Sequence, residues 1–98
     1  MHHDDSTERN WQPPQPGHGL HAYWRALDAA QLVFELVATV PAALKPVSAQ
    51  AIRAVTSVPL YLAEGSGRRG RSRIHHWEIA YGSALETTAC LHVLTRCR

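Results

Sequence analysis

Four arginine side chains lie within six residues of one another and are the part of this sequence best suited to binding chemistry. Arg68, Arg69, Arg71 and Arg73 form what we call the arginine segment, residues 68–73, in a run rich in glycine and serine. Guanidinium groups bind phosphate in bidentate fashion, and a Gly/Ser-rich connection can adapt its shape to a ligand. The pattern therefore predicts contacts to RNA phosphates. The alternative is a solvated loop that helps to neutralise a nearby acid.

Glu64 is the acid nearest to the arginine segment, and it lies where a predicted helix ends. The helix macrodipole disfavours a negative charge at that end, so a cation is expected to offset it. Arg68 and Arg69 are close in sequence, whereas Arg53 lies about three helical turns away. A cation from a neighbouring subunit is the alternative. No second carboxylate is paired with Glu64 in sequence, which favours a structural salt bridge over general acid or base catalysis.

The histidines and glycines form no recognised catalytic or metal-binding pattern. Adjacent residues on a helix point about 100° apart, so His75 and His76 make a poor chelating pair, and His92 is distant. The chain has no GxSxG elbow, and its glycine-rich run follows a helix and lacks the Gly-Lys-Ser ending of a phosphate-binding loop. We therefore predict no enzymatic activity, no cofactor and no metal.

Composition and charge fit a single small globular domain. The 98 residues are 45% apolar and 18% charged, with a net charge of +2. Residues 1–50 hold three basic and five acidic side chains, whereas residues 51–98 hold seven basic and three acidic ones. This skew permits an anionic partner, but it is also ordinary for a soluble domain.

The first 19 residues are predicted to be a flexible leader, because "WQPPQPGHG" contains three prolines and two glycines. Trp11 either packs against the folded body, which is favoured, or marks a docking segment. There is no apolar signal region and no run long enough to span a membrane, so we expect a cytoplasmic protein. Cys90 and Cys97 lie about two helical turns apart, which excludes a disulfide between them and indicates reduced, structurally minor thiols.

Residues 20–98 are predicted to form an all-α, up-down bundle of three amphipathic helices. The first helix ends at a connection that contains Pro41, Lys45 and Pro46. The second has apolar residues on two sides, so it should be the most buried. No stretch alternates with a period of two, so no strand is expected. The apolar stripe is Leu20, Tyr23, Leu27, Ala30, Phe34 and Val37 in the first helix, and Ile74, Trp77, Tyr81, Ala84, Thr88 and Leu91 in the third.

The helix ends are predicted from their capping residues. Ser48 is the expected N-cap of the second helix, Gly65 its left-handed C′ residue, and Ser72 the N-cap of the third. Pro59 removes a hydrogen bond inside the second helix, and Ser57 is placed to compensate by bonding back to the preceding turn. The kink is either a tolerated packing feature or a bend that shapes a groove.

The order of these features resembles the four-helix-bundle protein family found in intervening sequences of bacterial 23S ribosomal RNA genes. "SVPLYLAEGSGR" is similar to the family's Ser-Ile-Pro-x-Asn-Ile-Ala-Glu-Gly, and "IAYGSALE" to its Ile-Ala-x-Gly-Ser. The resemblance covers residues 22–95 or so. The matching positions are Gln50, Arg53, Ser57, Pro59, Ala63, Glu64, Gly65, Ile79, Ala80, Gly82, Ser83 and Glu86.

Two features depart from the family pattern. Tyr61 stands where the family usually has asparagine, which removes a polar group from the kinked helix. The chain also stops at Arg98 after three helices, where relatives continue into a fourth. The third helix is therefore expected to keep an unpartnered face that includes Leu91, Val93 and Leu94. Assembly, or a truncated form of the family fold, would account for that face.

The resemblance implies a non-enzymatic protein that self-associates, since related accessory proteins of diversity-generating retroelements form pentameric barrels and associate with nucleic acid. We therefore expect a homo-oligomer, with a closed ring such as a pentamer as the form that the resemblance implies. The expected function is binding of structured RNA or a ribonucleoprotein through the arginine segment. The alternative is a structural or adaptor module that docks a protein partner through an apolar helix face.

Overall fold

Three α-helices make up most of residues 21–98, which are the residues that the computed structural model describes. Helix α1 spans His21–Val37, α2 spans Lys45–Ser66 and α3 spans Gly70–Cys97, and a 3-10 turn, Ala42–Leu44, leads into α2. The described residues contain no strand, so the all-α prediction is confirmed. The predicted leader, residues 1–19 with Trp11, and the helix start at Leu20 lie outside the described residues.

Helix α2 lies between the other two helices and packs against both, whereas α1 and α3 scarcely contact each other. One apolar cluster joins the three helices: Val33 from α1, Ala51 and Val55 from α2, and Cys90 and Leu94 from α3. The core therefore lies beside the first half of α2 and the second half of α3.

Helix α2 is the most buried of the three, as its apolar residues on two sides predicted. Among residues 21–98, seven buried residues belong to α2, against two in α1 and four in α3. Because α2 is covered on both sides, it supplies most of the surface against which the other helices fold. Its buried residues are Ser48, Ala51, Ala54, Val55, Pro59, Ala63 and Gly65.

Pro59 is buried inside α2, and the helix continues through it. Because proline has no N–H, the carbonyl of Val55 lacks its usual helical donor. The Ser57 hydroxyl donates to the carbonyl of Arg53 at 2.8 Å, so the predicted back-bond is confirmed. Bonds of this kind accompany helix bends, and this one lies in the turn that Pro59 disturbs.

The apolar stripe predicted for α1 is displaced from the face that packs on α2. The buried residues of α1 are Ala26 and Val33, whereas Leu27 and Phe34 of the predicted stripe are exposed. The helix carries apolar side chains on more than one face, so their spacing alone does not reveal which face meets α2.

The expectation that Leu94 belongs to an unpartnered face of α3 is wrong. Leu94 is 0% exposed and lies in the core cluster. Leu91 is half-buried beside the core, and Val93 is exposed. The buried face of α3 is Ala80, Thr87, Cys90 and Leu94, whereas Ile74, Tyr81 and Thr88 of the predicted stripe are exposed.

Helix α2 begins earlier than its predicted cap. Lys45 is the first residue and Pro46 occupies the first turn, where the missing N–H has no intrahelical partner to lose. The prediction that Ser48 is the N-cap is therefore wrong: it lies inside the helix and is 8% exposed. Its hydroxyl has no hydrogen-bond partner within residues 21–98. Helix α1 ends at Val37, ahead of Pro41.

The prediction that Gly65 is a left-handed C′ residue is also wrong. The helix continues to Ser66, and its C-cap, Gly67, has a φ of −84°. Gly65 is needed for a different reason, because a Cβ atom at this position would lie 2.7 Å from the indole ring of Trp77. The absence of a side chain lets α3 approach α2 closely at this point.

No helix in residues 21–98 combines the length and the apolar character needed to cross a membrane. Cys90 and Cys97 are both free thiols, which confirms the prediction that no disulfide joins them. Burial of Cys90, followed by the negative charge of Glu86, raises the pKa of its thiol. Cys90 is therefore held protonated, and the exposed Cys97 is the more accessible of the two thiols.

Candidate nucleic-acid interface and apolar groove

The turn between α2 and α3 carries the arginine segment and is shorter than the sequence predicted. Helix α3 begins at Gly70, so Ser72 lies in its first turn and is not its N-cap. Gly70 has a φ of 56°, a left-handed conformation that residues with a Cβ rarely adopt. The segment is thus divided between the turn, which holds Arg68 and Arg69, and the first turn of α3, which holds Arg71 and Arg73.

Arg73 folds back onto the end of α2 and caps it. Its Nε donates to the carbonyl of Arg68 at 3.0 Å and, less closely, to that of Gly65 at 3.4 Å. Its Nη2 lies 3.5 Å from the carbonyl of Ser66, and the guanidinium carbon lies 5.6 Å from the ring centroid of Trp77. The last carbonyls of a helix lack intrahelical donors, and a cation at this end suits the macrodipole. The Arg73 side chain therefore stabilises the end of α2 and the turn that follows it.

Glu64 is paired as the sequence predicted, with Arg68. Arg68 Nη2 lies 3.1 Å from Glu64 Oε1. His76 Nε2 approaches the same oxygen at 3.5 Å, while its Nδ1 lies 2.7 Å from the carbonyl oxygen of Ser72. The side chains of Glu64 and Arg68 are about half exposed, so solvent limits the pair to at most about 1 kcal/mol.

Arg69 and Arg71 differ from the other two arginines of the segment. Both are exposed, and neither guanidinium group forms a hydrogen bond or salt bridge with any residue in the described range 21–98. The first turn of α3 contains no acidic residue, so the positive end of the helix dipole adds to their charge. Within the arginine segment, these are the two guanidinium groups that no other residue of 21–98 engages.

A polar chain across α2 and α3 joins three residues of the motif-matching set. Gln50 Nε2 donates to Glu86 Oε2 at 2.7 Å, and Arg53 Nη2 donates to Gln50 Oε1 at 3.0 Å. Sequence spacing could not predict the first contact, because its partners are 36 residues apart. The chain connects the two helices at the surface, beside the core.

The other residues that match the family's motifs take part in packing or contacts within the described chain, and Gly82 is the exception. Ala63 and Ala80 are buried, and Ile79 and Ser83 are half-buried. Gly82 is exposed, and a Cβ atom built there would have nothing within 4 Å. No contact in the described chain explains why a glycine stands in the middle of α3.

A long apolar groove runs between α1 and α3, with α2 as its floor. It has a volume of about 830 Å³, and it exists because α1 and α3 both pack on α2 and scarcely contact each other. Arg25 is the one charged side chain among the described residues that line it. The α1 wall is Ala22, Arg25, Ala26, Ala29, Leu32 and Val33, the floor is Val55, Val58 and Leu62, and the α3 wall is Trp77, Ala80, Tyr81, Ala84, Thr87, Thr88 and Leu91.

Sequence reasoning placed the open apolar surface differently, at Leu91, Val93 and Leu94. Of these residues only Leu91 lines the groove. The signal that was missed is the run of small residues Ala22, Ala26 and Ala29 on α1, which borders the groove. Small side chains at helical spacing leave an unfilled channel beside the larger residues of a neighbouring helix.

Within residues 21–98, no cluster of three or more His, Cys, Asp or Glu side chains is arranged to hold a metal ion. His75 and His76 are adjacent on α3, with ring centroids 6.0 Å apart. One of them, His76, is directed at Glu64 and at the backbone of Ser72.

Comparison with known proteins identifies the family. The model of the 23S rRNA-intervening sequence protein family matches residues 18–98, which include all of α1, α2 and α3. No curated protein and no solved structure shows a significant similarity to the chain. Because the family match extends over far more than half of the sequence, the chain belongs to the 23S rRNA-intervening sequence protein family.

Proposed function

We propose that this chain is a non-enzymatic, self-associating protein that binds structured RNA or a ribonucleoprotein through the arginine segment. The observation that carries the proposal is the pair Arg69 and Arg71, which are exposed and without a salt bridge to any of residues 21–98. The two guanidinium groups stand at the N-terminus of a 28-residue helix, where phosphate is favoured.

The four arginines are proposed to have two different roles. Arg73 caps α2 and Arg68 neutralises Glu64, so they hold the turn in shape. Arg69 and Arg71 contact the phosphates. This division changes the design of the test, because replacing all four arginines would damage the turn together with the interface.

The test uses the double variant Arg69→Ala/Arg71→Ala and a structured fragment of 23S ribosomal RNA as the probe. Affinity that depends on phosphate contacts falls as the salt concentration rises. Each contact removed should reduce the magnitude of the slope of log K, the association constant, against log salt by about one. We expect a slope lower by about two for the double variant, together with weaker binding at low salt. Fluorescence anisotropy titrations at several salt concentrations measure both.

The matched control is Arg96→Ala/Arg98→Ala, which removes the same charge at the other end of α3. It should change the slope less, because those side chains lie far from the proposed contact. Absence of RNA binding by the unmodified protein at low salt, or equal effects of the two double variants, would contradict the proposed interface.

Self-association is the second part of the proposal, and the apolar groove supports it. An exposed apolar surface of this kind marks an interface. Size-exclusion chromatography with light scattering should show an oligomer of one discrete mass at micromolar concentration, as a closed ring requires. A well-folded monomer under these conditions would contradict it.

A structural or adaptor role is the alternative, in which the groove docks a different protein. Copurification from native cells, with and without nuclease, separates the two functions. Partners that persist after nuclease favour the adaptor, whereas partners that are lost with the RNA favour the RNA-binding protein.

A further inference from the structure

The outer face of α3 carries an exposed stripe that is largely apolar. Its members follow one another at intervals of four, four, three, four and four residues, which places them on one side of the helix. We call this stripe the outer face of α3. It consists of Ile74, Glu78, Gly82, Leu85, Ala89 and Val93, all of them exposed.

Gly82 is the informative member of the outer face. Glycine in the interior of a helix costs roughly 1 kcal/mol relative to alanine. A Cβ atom would fit here with nothing within 4 Å, so packing inside the described chain does not require the glycine. Glycine is also the residue that permits another backbone or side chain to approach a helix closely. Its position points to a neighbour beyond residues 21–98.

The groove between α1 and α3 is long enough to hold most of the outer face. At about 1.5 Å per residue, the stripe from Ile74 to Val93 is roughly 28 Å long, and the α3 wall of the groove from Trp77 to Leu91 is roughly 21 Å long. The walls contain alanines, which leave room for large side chains such as Leu85. One ridge of a helix therefore fits along the groove.

The charges of the two surfaces are complementary as well. Arg25 is the one charged residue among the described residues that line the groove. Glu78 is the one carboxylate among the six residues of the outer face. Docking that brings Arg25 of one copy beside Glu78 of the other pairs the two opposite charges, whereas two like charges at these positions would oppose docking.

We propose that the outer face of α3 of one copy docks into the groove of a second copy. The proposal rests on the self-association put forward above and names its two surfaces. A single kind of contact buries both the groove and the outer face of α3. Because the donor and acceptor surfaces differ, the contact is head-to-tail, and repetition closes a ring or extends a filament.

The test uses two variants that each block one surface. Leu85→Lys places a charge on the outer face, and Leu32→Lys places one on the wall of the groove. Leu85 is 54% and Leu32 is 65% exposed, so neither change disturbs the core. Circular dichroism confirms that each variant is folded. Light scattering is expected to show that each variant alone has the mass of one chain.

Mixing the two variants gives the decisive measurement. Leu85→Lys keeps an intact groove and Leu32→Lys keeps an intact outer face, so one productive contact remains per pair. We expect a 1:1 heterodimer and no larger species. The control is Leu60→Lys, since Leu60 is 67% exposed on α2 and lies outside both surfaces, and it should assemble like the unmodified protein.

Each other outcome overturns a specific part of the proposal. An unmodified protein that is monomeric contradicts self-association and therefore both proposals. If the unmodified protein is an oligomer and either Leu85→Lys or Leu32→Lys is still an oligomer, only the surfaces named here are contradicted. Two monomeric variants that fail to form a heterodimer indicate an isologous contact or a different occupant of the groove, and they overturn the head-to-tail arrangement.

Discussion

Gly65 and Gly82 are both glycines inside long helices and both belong to the motif-matching positions, yet their surroundings are opposite. Gly65 is buried at the end of α2, where an added Cβ would collide with Trp77 at 2.7 Å. Gly82 is exposed in the middle of α3, where an added Cβ would touch nothing within 4 Å. Packing among residues 21–98 explains the first glycine and does not explain the second.

The difference separates two kinds of surface in a small domain. Around Gly65, the α2–α3 turn is complete by itself: Arg73 caps the helix, Arg68 pairs with Glu64, and Trp77 fills the space that glycine leaves. Around Gly82, the outer face of α3 has no packing partner among residues 21–98 and acquires one in the proposed assembly. Substitutions around the first glycine should therefore act on folding, and those around the second should act on association.

The largest contrast is expected between two leucines of α3. Leu94→Ala removes a side chain that is 0% exposed, so it should lower the free energy of unfolding by about 2–5 kcal/mol. Leu85→Ala should change it by less than about 0.5 kcal/mol, because Leu85 is exposed in the single chain. Urea denaturation in the Leu32→Lys background, which blocks association, measures both. Similar losses of unfolding free energy for Leu94→Ala and Leu85→Ala would contradict the distinction between the buried face and the outer face of α3.

The two glycines themselves should respond in opposite directions. Gly65→Ala overpacks the contact with Trp77 and should destabilise by about 1–3 kcal/mol, offset in part by helix propensity. Gly82→Ala should stabilise the Leu32→Lys chain by about 0.5–1 kcal/mol, since only propensity changes. In the assembling protein the same Gly82→Ala change should weaken association. A harmless Gly65→Ala change would show that Trp77 moves aside easily.

The smallest contrast concerns the arginine segment. Arg73→Ala should lower the free energy of unfolding by about 1 kcal/mol, because the carbonyls of Arg68 and Ser66 lose the guanidinium donor. Arg69→Ala should leave stability within about 0.5 kcal/mol while it weakens RNA binding. Thermal unfolding and anisotropy titration on the same samples compare the two. Equal stability of the two variants would indicate that water replaces the Arg73 bonds.

Sequence reasoning succeeded where the partners are close along the chain. The number of helices, the back-bond from Ser57 to Arg53 and the Glu64–Arg68 pair all depend on separations within one or two helical turns. Such contacts follow from helical periodicity and local charge. The family itself was identified from two motifs for the same reason, since each motif lies in a short continuous segment.

The contacts between helices could not be predicted from the sequence. Gly65 was interpreted as a local helix stop, because its real partner, Trp77, belongs to a different helix. Leu94 was assigned to an open face, although α3 packs on α2 through that residue. The error at Leu94 arises from apolar side chains on several faces of α3, which leave the rotation of the helix undetermined until α2 is in place.

The surface bonds of Gln50 have a consequence for which side chains the position can hold. Its amide oxygen accepts from Arg53 while its amide nitrogen donates to Glu86, so one uncharged group serves a cation on one side and an anion on the other. A glutamate here would repel Glu86, a lysine would repel Arg53, and an asparagine would be one methylene too short to reach both. Position 50 therefore selects for the length of glutamine and for its two-sided polarity together, although the pairing itself is too exposed to contribute much to stability.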